Sequence, residues 1–254
     1  MNVALIVGFC VFICSLGGAL LGMFVASRLP KTHLGESSKD VIKVATAVVA
    51  TLAALVVGLL ISAAKGSFDT KDMRLKQIAA QTVLLYQKMV EYGPETHEAR
   101  AVLHGVIAHA IAAIWTGNNH GTINPRATEQ GTGTLPVQHL LLQLVPKNDA
   151  QRWLKSSALQ VAGEIEAERV LALQQIGGSI QWPFLAILGF WFAIIFLSFG
   201  LFAPINSSVF VVLFACSLSV AAALYLIVQM DRPYSGFMQI SSAPLQLALR
   251  QIGN

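Results

Sequence analysis

Charge is what this sequence is short of. Asp, Glu, Lys and Arg make up 12% of its 254 residues, against roughly 25% in an ordinary soluble domain. From position 170 to position 230 there is no Asp, Glu, Lys, Arg or His, a run of 61 residues. A water-facing surface cannot be built from such a stretch, so a soluble globular protein is excluded. Cysteine is equally scarce. Cys10, Cys14 and Cys216 all lie inside apolar runs with no His or Lys close by, which argues against a disulfide framework, a metal cluster and a thiolate nucleophile.

Catalytic motifs are missing as well. There is no glycine-rich phosphate loop, no GxSxG elbow and no carboxylate inside an apolar run to mark a proton relay. His97, His104 and His109 are spaced by seven and five, not by the four that sets two imidazoles on one metal. Glu164 and Glu168 share a helix face beside Glu166 and Arg169, an arrangement that reads as a solvated surface and not as a cation site. No residue set supports an enzyme, a cofactor or a metal. The net charge of +4 does not read as a nucleic-acid surface, because residues 65–169 hold 11 Lys and Arg against 10 Asp and Glu. The remaining excess sits at membrane-proximal ends and short loops.

What is there instead is apolar: 55% hydrophobic residues and a mean hydropathy of +0.63. Residues 44–64 run 21 positions without a charge, the length that crosses a hydrocarbon core of about 30 Å at about 1.5 Å per residue. Thr46, Ala50, Ala54, Gly58 and Ser62 recur along it at every fourth position, a ridge of small side chains suited to close helix packing or to a pore wall. Residues 3–27 form another uncharged stretch, too long for the apolar core of a signal peptide. Its own small residues, Cys14, Gly18, Gly22 and Ala26, form a ridge expected to face the first one. Pro30 ends this helix, and Ser37 or Ser38 caps the next with Asp40 in its first turn. Two further spans, about 183–202 and 208–229, are joined by the turn Ala203-Pro204-Ile205-Asn206.

The polar stretch between the two apolar pairs reads as helical. Residues 70–92 carry Ile78, Leu85 and Met89 at helical spacing until Gly93-Pro94 breaks the run. After it, Ala99, Val102, Leu103, Val106, Ile107, Ala110, Ile111 and Ile114 give the clearest amphipathic stripe in the chain. Residues 116–134 have no period and predict a mobile loop. A short helix over 137–144 stops at Pro146, and Asn148 with Gln151 forms a capping box for a long helix from Asp149 to about position 176. Gly177-Gly178 predicts a bend.

The expected fold is therefore an all-α membrane protein with four transmembrane helices in two hairpins and a helical extramembrane insert between the second and third spans. Residues 1–64 make the first hairpin, 65–181 the insert, 182–230 the second hairpin and 231–254 a tail. In the tail, Leu245, Ala248, Leu249 and Ile252 form an apolar stripe suited to a partner subunit or to the bilayer surface. Asp231 closes the fourth span against the helix dipole and calls for a cation. Lys65 and Arg232 complete this interfacial charge cluster.

Several short segments resemble one family. Arg28-Leu29-Pro30 with His33, Ser38-Lys39-Asp40, Phe68-Asp69, Gly93-Pro94-Glu95, Ser198-Phe199-Gly200-Leu201-Phe202, Asp231-Arg232-Pro233 with Gly236, and Ser241-Ser242-Ala243-Pro244-Leu245 are similar to the bestrophin-like-domain family of bacterial membrane proteins. That resemblance implies kinship with bestrophins, pentameric anion channels with four membrane helices and a helical cytosolic region. Its implied partners are the lipid bilayer, further copies of the same chain and small anions, and its implied location is the bacterial inner membrane. A non-conducting membrane scaffold whose insert docks a partner protein is the other reading. The second span has no aromatic ring for a hydrophobic neck, and no run of acidic residues matches a calcium clasp, so calcium gating does not carry over. Lys and Arg number seven on the insert side against four in the first hairpin loop, which leans towards a cytoplasmic insert.

Overall fold

A computed structural model of the chain describes residues 3–28, 36–116, 133–174, 180, 182–204, 206–231 and 238–253. Among these residues all regular structure is helical, and four helices are long and apolar enough to cross a membrane. The chain divides into two compact units, Met1–Ser67 with Gly178–Asp231 and Phe68–Gly177 with Arg232–Asn254.

The first unit contains α1 (Val3–Arg28), the opening part of α2 (Glu36–Tyr92), α6 (Trp182–Phe202) and α7 (Ser207–Asp231). Its closest packing joins α1 to α6. A Cβ placed on Gly200 would overlap the carbonyl oxygen of Ala19, and one on Gly22 would overlap that of Leu197. A Cβ on Gly18 would lie 2.6 Å from the carbonyl oxygen of Ala193. Only hydrogen fits there, as expected where dispersion and close backbone approach replace the hydrophobic force. At Gly18 and Gly22 the first ridge is thus seated on α6, not on the second span as its spacing suggested. The connection over 29–35 that would close the first hairpin, with Pro30 and His33, lies outside the described residues, as do the capping side chains Ser37 and Ser38. Phe12 of α1 meets Phe214 of α7 edge to face at 5.5 Å.

The second unit holds the rest of α2, a 3-10 turn over Pro94–Thr96, α3 (His97–Ile111), α4 (Leu135–Gln143), α5 (Asp149–Gln174) and α8 (Ala243–Ile252). The helical spacing read over 70–92 is there, but position 70 as its start needs correction, because α2 is continuous for 57 residues. Between Ala64 and Thr70 the sequence offers one glycine and no proline. A single glycine costs about 1 kcal/mol in a helix, too little to end it. α2 does end at Gly93, whose φ of 129° suits only glycine. The Thr96 hydroxyl then donates to the carbonyls of Met89 at 2.5 Å and Gly93 at 2.8 Å. It thereby satisfies groups that the helix end leaves open.

The core of this unit is aliphatic. Leu85 and Met89 of α2, Leu103 of α3, and Val137 and Leu141 of α4 are fully buried, and each contributes about 1.5–3 kcal/mol by leaving water. The stripe read on α3 is the one buried, with Ala99, Leu103, Val106 and Ile107 innermost. At the start of α5 the Asn148 side chain accepts the Gln151 N–H at 2.8 Å, as a capping box requires. The return bond falls one residue early, from Lys147 N–H to Gln151 Oε1 at 2.8 Å.

The tail stripe needs a second correction. Leu245, Ala248 and Ile252 of α8 are buried within this unit's core, and Trp115 donates its indole N–H to Ile240 at 2.9 Å. A short helix with one apolar side has found an apolar core in its own chain, which a stripe alone does not distinguish from a partner or a membrane. Glu166 and Glu168 are not simply solvated. Glu166 receives the Thr134 N–H at 2.8 Å and pairs with Arg169 at 2.7 Å, while Glu168 pairs with Arg74 at 2.8 Å. Most of the stretch read as a mobile loop, residues 117–132, lies outside the described residues, as does the bend at Gly177-Gly178.

Candidate functional site

Within the first unit α2 is the span least used by its own chain. In its most apolar window 11% of positions are buried, against 33% in each of the other three spans. Its surface divides into three faces. The packed face holds Thr46, Ala53 and Ala64, with Val57 and Leu60 half-buried between them. Those positions follow a seven-residue repeat, which drifts only about 20° per repeat.

The four-residue ridge read from the sequence behaves otherwise. Each step of four residues gains about 40° around the helix, so the ridge winds away from the packed side. Thr46 is buried and its hydroxyl bonds that of Ser198 at 2.9 Å. Ala50 is half-buried, and Ala54, Gly58 and Ser62 are exposed. A Cβ on Gly58 would meet nothing within 4 Å.

The second face is exposed and small: Ala47, Thr51, Ala54, Gly58 and Ser62. Lys43 and Lys65 are exposed on the same side at its two ends. The 22 helical steps from Lys43 to Lys65 correspond to roughly 33 Å of helix, one hydrocarbon thickness. A face of hydrogen, methyl and hydroxyl groups between two ammonium groups is unlike a lipid-facing surface. The third face is the lipid-like one, with Val48, Leu52, Leu55 and Leu59 exposed by 56%, 45%, 62% and 62%.

Beside the small face a cavity of about 440 Å³ opens between α2, α6 and α7. Ile195 and Phe196 of α6 are its buried floor, and Ala50 and Ala54 on one side and Cys216 and Ser219 on the other form its rim. In the facing ridge of α1, Cys14 is exposed and Ala26 half-buried. At the other end of the spans Asp231 is 4% exposed, and its carboxylate accepts the Ile180 N–H at 3.3 Å. Lys65 belongs to the same unit, whereas Arg232 lies outside the described residues.

The family model for a Bestrophin-like domain matches residues 13–245. The chain belongs to the Bestrophin-like domain family. The same fold appears in a solved structure described as a membrane protein bearing one substitution, with a TM-score of 0.62 and 13% identity. A second is a mutant of a bacterial bestrophin homologue from Klebsiella pneumoniae, with a TM-score of 0.60 and 13% identity. Each pairing covers 95% of this chain and 96% of the other. No curated protein matches. This bestrophin-like chain is a membrane protein.

Sequence reasoning missed three parts of the site. The α6 positions that receive α1, Ala193 and Gly200, are seven apart, a spacing that a search for four-residue ridges passes over. The Ser198 partner of Thr46 lay in a segment quoted only for its family likeness. The exposed leucine face of α2 was visible as sequence but looked like any lipid-facing side.

In the second unit three groups have displaced pKa values. Burial, with the Glu95 carboxylate nearby, pushes the Tyr92 phenol up. The Lys147 ammonium, bonded to Glu95 at 2.6 Å, holds that carboxyl below its usual range and is itself held above its own.

Proposed function

We propose that this bestrophin-like chain is a subunit of a homo-oligomeric pore for small anions, with the small face of α2 along the conduction path. The observation that carries the reading is that face itself, exposed, uncharged and framed by Lys43 and Lys65. Family membership and the name of the Klebsiella pneumoniae homologue support it. The reading is of a passive pore in the inner membrane, without enzymatic chemistry and with the insert on the cytoplasmic side. Small neutral walls let an ion pass without tight binding.

The test is chloride efflux from proteoliposomes holding the purified oligomer. Efflux above protein-free controls, reduced in Gly58→Leu, supports the pore, and its absence from intact oligomers rejects it. The non-conducting scaffold is the second reading. Val145, Leu142 and Trp153 of the extramembrane unit are exposed by 81%, 61% and 62%, the kind of surface that a docking protein covers.

A further inference from the structure

We infer that the hydroxyls of Ser15 on α1 and Ser217 on α7 hold a single water molecule between them, a buried polar joint on helices other than α2. Both side chains are 0% exposed, and among the described residues neither oxygen has a hydrogen-bond partner. Taking a hydroxyl out of water without giving it a partner is costly, and in the hydrocarbon region no bulk water makes good the loss. A hydroxyl in a helix has one ready remedy, the carbonyl four residues back. Ser219 takes it on Ala215 and Thr51 takes it on Ala47, each at 2.8 Å. Ser15 and Ser217 do not, although the carbonyls of Val11 and Leu213 stand at that spacing.

Packing brings the two serines together. A Cβ on Gly8 would lie 3.2 Å from the Cβ of Tyr225 and 3.5 Å from the carbonyl oxygen of Ala221, and Phe12 meets Phe214 edge to face at 5.5 Å. Contacts that advance along α1 while they retreat along α7 mark antiparallel helices. Ser15 stands seven residues beyond Gly8, and Ser217 stands eight residues before Tyr225, so the two reach one level to about 1.5 Å of helix rise. Both face the seam. Seven residues return Ser15 to within about 20° of the side of α1 that carries Gly8. Ser217, three residues past Phe214 and four before Ala221, shares their side of α7. The chemistry of the ligand follows from what surrounds it. Residues 3–27 and 170–230 contain no Asp, Glu, Lys or Arg, so no charge on these helices balances an ion at this level. Two hydroxyls ask for a neutral molecule that donates to one and accepts from the other, and full burial limits it to the smallest. Water is that molecule, and two polar partners are enough to hold it.

X-ray radiolysis of the purified protein in lipid nanodiscs reads the water directly, because hydroxyl radicals made from a bound water oxidise the side chains beside it. Phe12 and Phe214, each three residues from one of the serines, serve as reporters, and Phe9, 66% exposed on α1, is the control. The chain carries Cys10→Ala, Cys14→Ala and Cys216→Ala so that no thiol absorbs the radicals, and peptide mass spectrometry locates the added oxygen. Oxidation at Phe12 or Phe214 is expected to exceed that at Phe9 severalfold, and to fall to the Phe9 level in Ser15→Ala or in Ser217→Ala. Oxidation no greater than at Phe9 in the parent chain overturns the inference without recourse to any variant, as does a signal that both variants keep. Thermal melting gives a second reading. Removing an unpartnered hydroxyl raises the melting temperature, whereas breaking a water bridge lowers it, so a rise in both variants overturns the inference as well.

Discussion

The two units of this chain are held together by opposite means. In the first, α1 and α6 come so close that Gly22 and Gly200 have no room for a methyl group, and the buried polar groups are few: Thr46 bonds Ser198 across helices, while the buried hydroxyls of Ser15 and Ser217 have no partner among the described residues. In the second, leucines and valines fill a core that water drives together, and its seams are pinned by Glu166 with Thr134, Glu168 with Arg74, and Glu95 with Lys147. Lipid rewards closeness, whereas water rewards apolar area. One consequence is that the two units are sensitive to different substitutions.

The largest contrast lies between two glycines of the first unit. Gly200→Leu should abolish folded protein in detergent, since overpacking at a backbone contact has no side chain to yield. Gly58→Leu should leave the thermal stability of the monomer within about 0.5 kcal/mol, in line with other exposed sites, while altering flux or assembly. Size-exclusion elution with thermal melting separates the two, and equal stability would break the comparison. In the second unit the sensitive direction is reversed. Leu103→Ala should cost about 2–5 kcal/mol by leaving a cavity, measured by chemical denaturation followed through tryptophan fluorescence.

A smaller effect is expected at Asp231. We propose Lys65 as the cation that meets it, so Asp231→Asn and Lys65→Met should each cost about 1–3 kcal/mol. The double change should cost less than their sum. Strict additivity in detergent melting would assign the carboxylate to another group. The smallest effect belongs to Glu95 and Lys147. Glu95 has a lowered pKa, so its contribution is present above the unfolded value of about 4.3 and is lost as pH falls through the lower folded value. Lys147 has a raised pKa, so its contribution is present below about 10.4 and is lost as pH rises through the higher folded value. Melting curves across both windows should lose these small shoulders together in Glu95→Gln.

Four spans and the helices of the insert were legible in the sequence, because long uncharged runs and three-four spacing report directly on lipid and on a buried side. Partnership was not. The small ridge of α1 was visible at Gly18 and Gly22, but small residues say only that something comes close, and here it is α6. The ridge on α2 is a real run of small side chains whose four-residue period carries it around the helix, so within the chain Thr46 is buried and Ala50 half-buried while Ala54, Gly58 and Ser62 are exposed. The α8 stripe at Leu245, Ala248 and Ile252 was equally ambiguous between a membrane, a partner and the chain's own core. Amphipathicity identifies a buried side without naming what buries it.

In the proposed pore the small face of α2 lies along the ions' path and the leucine face does not. In a chain with Cys10, Cys14 and Cys216 replaced by Ala, single cysteines at Gly58, Ser62, Leu55 and Leu59 can each be exposed to an anionic methanethiosulfonate during chloride efflux from proteoliposomes. Modification at Gly58→Cys and Ser62→Cys should block efflux by at least tenfold more than modification at Leu55→Cys or Leu59→Cys, roughly 1.4 kcal/mol of discrimination. Efflux untouched at Gly58→Cys, or blocked equally at Leu55→Cys, would contradict it.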